Sequence, residues 1–506
     1  MTLRILMNDA YLLLKEHFQK LARLDHALTF LQWDHMVMMP TGGNEPRSAA
    51  IAELTSMHHE LLTSPKTGEL LEEAAGQTTA ASRIRSLQEM KREYLRAVCL
   101  PSELVKAKSL AGSKCEHGWR SQRKENDWPG FAKNFKEVVS LAREEAQARC
   151  DFSPGRFPTA YDAMLDLYCT GDSNSFITDV FAALKKVLPG LVQEVVEKQK
   201  GESVPDLFGH YPLEQQQFLN LELMRCLEFN FDQGRLDVSS HPFSTGCRGD
   251  QRITTRFRHS DFFDALLATA HETGHAGYES GLPIEWHELP AGSACNMCIH
   301  ESQSLLFEKQ IFLSRHFLSF FSKRIHTFLP GTASFDGSQL WAAATRVQPS
   351  YIRVEADEVT YPLHVILRYE IESSLINNTI EIEDIPLLWD EKMQQYFGLS
   401  TAGNYKDGCM QDMHWTDGSF GYFPSYTIGA LNSAQFFAAI RGAHPDWRER
   451  LADGNVNFIR NWLGKAVWSK GSTMDSQEII RLATGESTNP EHFLRHIRER
   501  YLDEVY

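Results

Sequence analysis

The sequence predicts a mainly α-helical protein, one large body with a few strands gathered in a single place. Three observations carry this reading. Apolar residues recur at three- and four-residue spacing through most of the 506 residues, the period of helices with one buried face. Texture changes only between about residues 235 and 258, where β-branched residues alternate. No internal repeat, low-complexity tract or Gly/Ser linker divides the chain, which favours one domain spanning 1–506.

The first helix runs from Tyr11 to about Trp33, with Leu13, Leu14, Phe18, Leu21, Leu24, Leu28 and Leu31 at helical spacing. Met39-Pro40-Thr41-Gly42-Gly43 ends it, and Met36, Met38 and Met39 are expected to pack into the core. Helical rhythm resumes after Pro46 and continues to about 150. A long amphipathic helix follows over Phe176–Lys200. His241-Pro242-Phe243-Ser244-Thr245-Gly246 reads as loop, and Arg252–Phe257 as a strand of a small sheet. Ser260 is the expected cap of the next helix, whose stripe passes through Phe263, Leu266, Leu267 and Ala270 until Gly281-Leu282-Pro283 stops it. Further helices are expected over Ser293–Phe317, Thr360–Ile376, Trp389–Phe397 and Ser425–Ile440.

Composition narrows the function classes. The formal net charge is -15, and no Lys/Arg stripe offers a phosphate-binding face, which argues against a nucleic-acid partner. Nine cysteines, odd in number and scattered, argue against a disulfide framework and for a reducing compartment. The start, Met1-Thr2-Leu3-Arg4, lacks the apolar core of a signal peptide, and no run of about 18 apolar residues offers a membrane span. The expectation is a cytoplasmic protein with no membrane partner.

Chemistry concentrates in the helix stopped at Gly281. His271-Glu272-Thr273-Gly274-His275 places two imidazoles four residues apart, on one face, where both can reach the same metal ion. Glu272 lies beside them as the base for an activated water. A solvated helix face has the same pattern, so the third ligand matters. A catalytic zinc takes three protein ligands, and Glu301, set among apolar Ile299, Leu305 and Leu306, is the candidate. Cys295 and Cys298 read as small packing residues of one helix, since no second Cys pair completes a metal site.

Further motifs accompany this one. Trp33-Asp34 precedes Met39-Pro40-Thr41-Gly42-Gly43; His241-Pro242-Phe243 and Asp250-Gln251-Arg252-Ile253-Thr254 follow. His300-Glu301-Ser302, Ile352-Arg353-Val354-Glu355-Ala356-Asp357 and Gly408-Cys409-Met410-Gln411-Asp412-Met413-His414-Trp415 complete the series. In content and order they resemble the carboxypeptidase Taq family of zinc-type metallocarboxypeptidases.

The resemblance implies a large, elongated, all-helical fold of the neurolysin and angiotensin-converting-enzyme kind, with a deep active-site groove. It also implies a small antiparallel sheet beside the metal site, and a homodimer. The implied activity is release of single residues from free peptide C-termini, with broad specificity and weak action next to proline. His271, His275 and Glu301 become the implied ligands of zinc, with cobalt a possible substitute, and Glu272 the implied general base. An oxyanion formed at the cut carbonyl needs a donor; Tyr426 is the candidate, with His414 second. A terminal carboxylate suits a guanidinium. Arg353 is the candidate, with Arg252 second and His241 a further substrate-binding residue. An ion pair of Arg353 with Asp357 or Glu355 is the competing explanation. A related endopeptidase or dipeptidase, and a peptide-binding protein with a dead site, remain the alternatives.

Overall fold

Helices dominate because most segments have one apolar face, and several also start at a side-chain cap. In the computed structural model, which describes residues 9–503, the first helix spans Ala10–Val37 and starts at Asp9, whose carboxylate accepts from the backbone N–H groups of Tyr11 and Leu12. The reading of Met1–Arg4 falls outside the described residues. Trp33 is buried, but Met36 and Met38 are exposed, a correction to the expected core packing. They occupy the outer face of the last turn, where no neighbouring core asks for their flexibility.

Two large apolar cores organise the rest. One gathers residues of the helices Trp128–Phe152, Asn174–Gln199, Tyr361–Ile376 and Pro490–Tyr501. The other gathers residues of Phe263–Gly281, Arg315–Phe328, Trp447–Ala452 and Asn457–Ala466. The helix Pro424–Ala443 serves both, with Ile428 and Leu431 in the first core and Phe436, Phe437 and Ile440 in the second. Met297–Leu305 is shared in the same way, Cys298 facing one core and Ile299 the other. The segment carrying Glu301 therefore runs along the seam between the two cores.

The small sheet stands where the β-branched residues predict it, with different bounds and topology. It has strands β1 (Gly234–Val238), β2 (Phe243–Cys247) and β3 (Asp250–Thr255), in the order β1-β3-β2. The expected antiparallel sheet is mixed: β2 pairs antiparallel with β3, but β1 pairs parallel with it. The cause is the short link 239–242, which carries the chain across the end of β3 instead of folding β1 into a hairpin. Phe243–Cys247, expected as loop, is a strand because it closes that hairpin through Arg248-Gly249, where Gly249 takes a φ of 88° open to glycine at little cost.

The continuous helix expected over Ser293–Phe317 is three pieces. An α-helix spans Met297–Leu305, a π-helical turn Leu306–Phe312, and a second α-helix Arg315–Phe328. No helix among the described residues is long and apolar enough to cross a membrane.

Candidate active site

The helix Phe263–Gly281 is started by Asp261 and not by Ser260: the Asp261 carboxylate accepts from Phe263 N at 2.8 Å and Asp264 N at 3.2 Å. An aspartate two residues from the first helical N–H groups meets two unpaired donors at once and adds favourable charge. The buried stripe includes Leu266, Ala270, Thr273, Gly274 and Ala276. It presses His271 and His275 toward the helix Met297–Leu305, which is capped by the Asn296 side chain on Ile299 N. The backbones meet closely because of two glycines. A Cβ on Gly274 would lie 2.5 Å from the Gln303 carbonyl oxygen, and one on Gly429, in Pro424–Ala443, 2.6 Å from Glu301 Cβ.

This packing brings His271, His275 and Glu301 together, with one donor atom from each within 4.8 Å of the others. Glu301 Oε2 lies 3.6 Å from His271 Nε2 and 3.9 Å from His275 Nε2. The outer nitrogens are occupied. His271 Nδ1 meets Glu308 Oε2 at 2.9 Å, and Glu308 Oε1 holds Lys309 Nζ at 2.6 Å. His275 Nδ1 meets His300 Nδ1 at 2.6 Å, and His300 Nε2 meets Glu279 Oε1 at 2.9 Å. If the last ring donates to Glu279, His300 Nδ1 accepts from His275 Nδ1–H, and both ligand candidates turn an Nε2 lone pair to the same point. Ser304 Oγ donates to Glu301 Oε2 at 3.1 Å, fixing the carboxylate. Two imidazoles and a carboxylate, each steadied by an outer partner, fit a divalent cation in a catalytic site.

The electrostatics are those of a dry acidic pocket. Burial works against charge on His271, but the Glu308 hydrogen bond and its charge outweigh it and raise the imidazole to about 9. A cation at Nε2 would displace that proton while the Nδ1–H stays on Glu308. Burial and the neighbouring His300 and His271 hold His275 well below its usual value. Burial pushes the Glu272 carboxyl up to about 7, against the pull of His271 and with the push of Glu301.

A second cluster includes Tyr361 and Tyr426, which line the same cavity as His271 and Glu301. Arg353 is 5% exposed and rests its Cζ 5.3 Å from the rings of both Tyr426 and Phe423. Its Nε donates to Asp412 Oδ1 at 2.9 Å and its Nη1 to Tyr361 Oη at 2.8 Å. Asp412 Oδ2 also accepts from the fully buried Arg368 at 2.6 Å. The expected competitors are not its partners. Asp357 accepts from the backbone of Gln348, Val359 and Thr360, closing its own loop, and Glu355 is exposed. His414 Nε2 lies 3.3 Å from Tyr426 Oη, so the two oxyanion candidates are neighbours. Burial, then Arg353, depress His414 to about 4, which keeps it neutral.

The remaining candidates lie on the sheet. Arg252 pairs with Asp250 through two hydrogen bonds and covers the Trp33 ring at 4.5 Å. Those contacts tie β3 to the first helix. His241 is exposed, and its carbonyl accepts from Ser239 Oγ. Cys295 precedes the helix that holds Cys298, so the pair does not share one helix: Cys295 Sγ reaches Met474 O, whereas Cys298 Sγ packs on Cys169 Sγ. All nine cysteines are free.

Reading the sequence missed the outer partners Glu308, Glu279 and Ser304, and the clamp Asp412. Spacing held a signal for two of them: Glu279 stands one turn after His275, and Ser304 one turn after Glu301. Glu308 and Asp412 needed the tertiary fold.

A helical body with a half-buried pair of histidines and a buried carboxylate at one point fits one class, a helical metallopeptidase. A sequence model of the family described as carboxypeptidase Taq (M32) metallopeptidase matches residues 13–501. Thermostable carboxypeptidase 1 of Thermus thermophilus is 34% identical over 97% of this chain and 98% of its own length. The structure of Trypanosoma cruzi metallocarboxypeptidase 1 superposes with a TM-score of 0.95 at 38% identity, over 98% of this chain and 99% of that one. Pyrococcus furiosus carboxypeptidase superposes with a TM-score of 0.93 at 32% identity, over 98% and 99% of the two chains. The chain belongs to the carboxypeptidase Taq (M32) metallopeptidase family and is a metallocarboxypeptidase, a hydrolase of peptides.

Proposed function

We propose that the chain, as one catalytic domain spanning 1–506, is a zinc carboxypeptidase that releases single residues from free peptide C-termini. Cobalt is an acceptable substitute, specificity is broad and action beside proline weak, and the working form is a cytoplasmic homodimer. The observation that carries the reading is Arg353. A buried guanidinium is held by Asp412 and Tyr361, and Tyr361 lines the same cavity as His271 and Glu301. The planar fork of Arg353 suits a carboxylate, so the peptide's end is held and only its last amide bond reaches the histidines.

In this reading His271, His275 and Glu301 hold the cation, which supplies Lewis-acid polarisation of water and carbonyl when bound. Glu272 takes the attacking water's proton and passes it to the leaving amine. Tyr426, with its hydroxyl kept protonated by burial, donates to the developing oxyanion, and His414 steadies that hydroxyl. Arg252 and His241 act on the upstream part of the peptide from the sheet. The test is one peptide with a free and with an amidated C-terminus, followed by mass spectrometry beside metal analysis. Stepwise shortening of the free peptide alone is expected; internal cuts in both would replace this reading with an endopeptidase.

A further inference from the structure

His271 and Glu301 stand in the wall of a cavity of about 190 Å³. Arg353 is not one of its lining residues, but Tyr361, which is bonded to Arg353, is. Tyr361 is half-buried, and its ring lies edge-on to Tyr426, with centroids 6.1 Å apart. Of the side chains bonded to the guanidinium, Tyr361 is the one that borders the space beside the histidines.

The chain places this tyrosine with care. Tyr361 opens the helix Tyr361–Ile376, and its backbone N–H donates to Asp357 O at 2.9 Å. The Asp357 carboxylate accepts from the N–H groups of Val359 and Thr360 at 2.9 Å each and from Thr360 Oγ1 at 2.8 Å. Asp357, which does not pair with Arg353, thus fixes the turn that delivers Tyr361. At the other end of the ring, Arg353 Nη1 donates to Tyr361 Oη at 2.8 Å. Arg353 is itself tied by its backbone N–H to Gln411 Oε1 at 2.8 Å and by its Nε to Asp412 at 2.9 Å. Residues of two motifs, 352–357 and 408–415, converge on one phenol.

A guanidinium can only donate, so the Tyr361 oxygen accepts there and keeps its own O–H to give. Among the described residues that hydroxyl has no acceptor. Burial raises the phenol above its ordinary value, against the pull of Arg353, so the proton stays on the oxygen. Accepting from a cation polarises the O–H and strengthens it as a donor. The carboxylates in the wall have other partners: Glu308 meets His271 and Lys309, Glu358 meets His496 and Arg500, and Glu301 stands with the histidines. We propose that Tyr361 is a further substrate-binding residue, its hydroxyl donating to the terminal carboxylate of the peptide while Arg353 supplies the charge behind it. This role rests on the carboxypeptidase reading. It concerns a group that every free peptide end carries, so it leaves the choice of last side chain broad.

Tyr361→Phe keeps the ring and removes the hydroxyl. In the zinc-loaded enzyme, KM for a free-acid peptide should rise about tenfold with kcat nearly unchanged. KM does not depend on the fraction of active protein, so partial misfolding cannot imitate that result. The same substitution in an Arg353→Ala background separates contact from support. A hydroxyl that binds the carboxylate adds its own rise in KM there, and one that only steadies Arg353 adds none. An unchanged KM, a fall in kcat at constant KM, or no added rise in the double variant overturns the role of Tyr361 alone. Cleavage of the amidated peptide by the parent enzyme as readily as the free acid overturns the carboxypeptidase reading and this role with it.

Discussion

The histidine cluster and the Arg353 cluster both contribute to one cavity, through His271 and Glu301 on one hand and Tyr361 and Tyr426 on the other, but they are built in opposite ways. His271 and His275 owe their relation to a single helical turn, and every outer partner of theirs lies within 40 residues of chain. Arg353 is positioned by Asp412, 59 positions on, which also clamps Arg368 from a third element. A local arrangement survives small changes in packing because the helix itself holds the geometry. A long-range one stands only if the whole seam between the two cores closes. In the proposed function, chemistry is assigned to the first and recognition to the second.

That contrast can be broken at either end. Glu272→Ala should cost the most, lowering kcat by about 10³-fold with metal content unchanged by elemental analysis; an active variant would remove Glu272 from the chemistry. Arg353→Ala should raise KM by about 10²-fold for free-carboxylate peptides and leave amidated ones nearly unaffected, whereas equal losses on both would make the guanidinium structural. Glu308→Gln should weaken metal binding by about tenfold or somewhat more, read by competition with a chelator, while KM stays close to the parent value.

The smallest effect concerns pH. Burial pushes Asp412 up, but Arg368 and Arg353 outweigh it and hold the carboxyl well below the usual range. Glu358 behaves likewise, with Arg500 and His496 opposing burial. A depressed folded-state pKa gives stability that is present above the unfolded value and is lost as pH falls toward the folded one. Thermal stability should therefore decline progressively below about pH 4, and Asp412→Asn should flatten part of that slope at the expense of stability near neutrality.

The sequence made the two clusters unequally legible for the same reason. A turn of helix is written in adjacent letters, so residues 271–275 mark a candidate metal site, and Glu301, chosen for its apolar frame, is the residue the fold brings to the two histidines. Ion pairing leaves no such mark: Asp357 and Glu355 stand nearest to Arg353 in the chain, yet Asp412 holds it. The sheet was visible in Ile253, Thr254 and Thr255. The parallel pairing of β1 was not, because direction depends on where the link 239–242 crosses. Ser260 looked like a cap by type, but the nearer Asp261 offers charge as well as an oxygen. The π-helical turn was hidden too, since Leu306, Phe307, Ile311 and Phe312 are all buried and show no stripe from which a period could be read.

Gly274 and Gly429 give the metal centre its tolerance. Bond lengths from zinc to nitrogen or oxygen lie near 2 Å and vary by only about 0.2 Å. A methyl group at either glycine would need more room than that. A side chain at either position would displace the helix that carries Glu301 or the one that carries the histidines, so these two positions act as gauge blocks, setting by what they lack the clearance at which His271, His275 and Glu301 meet.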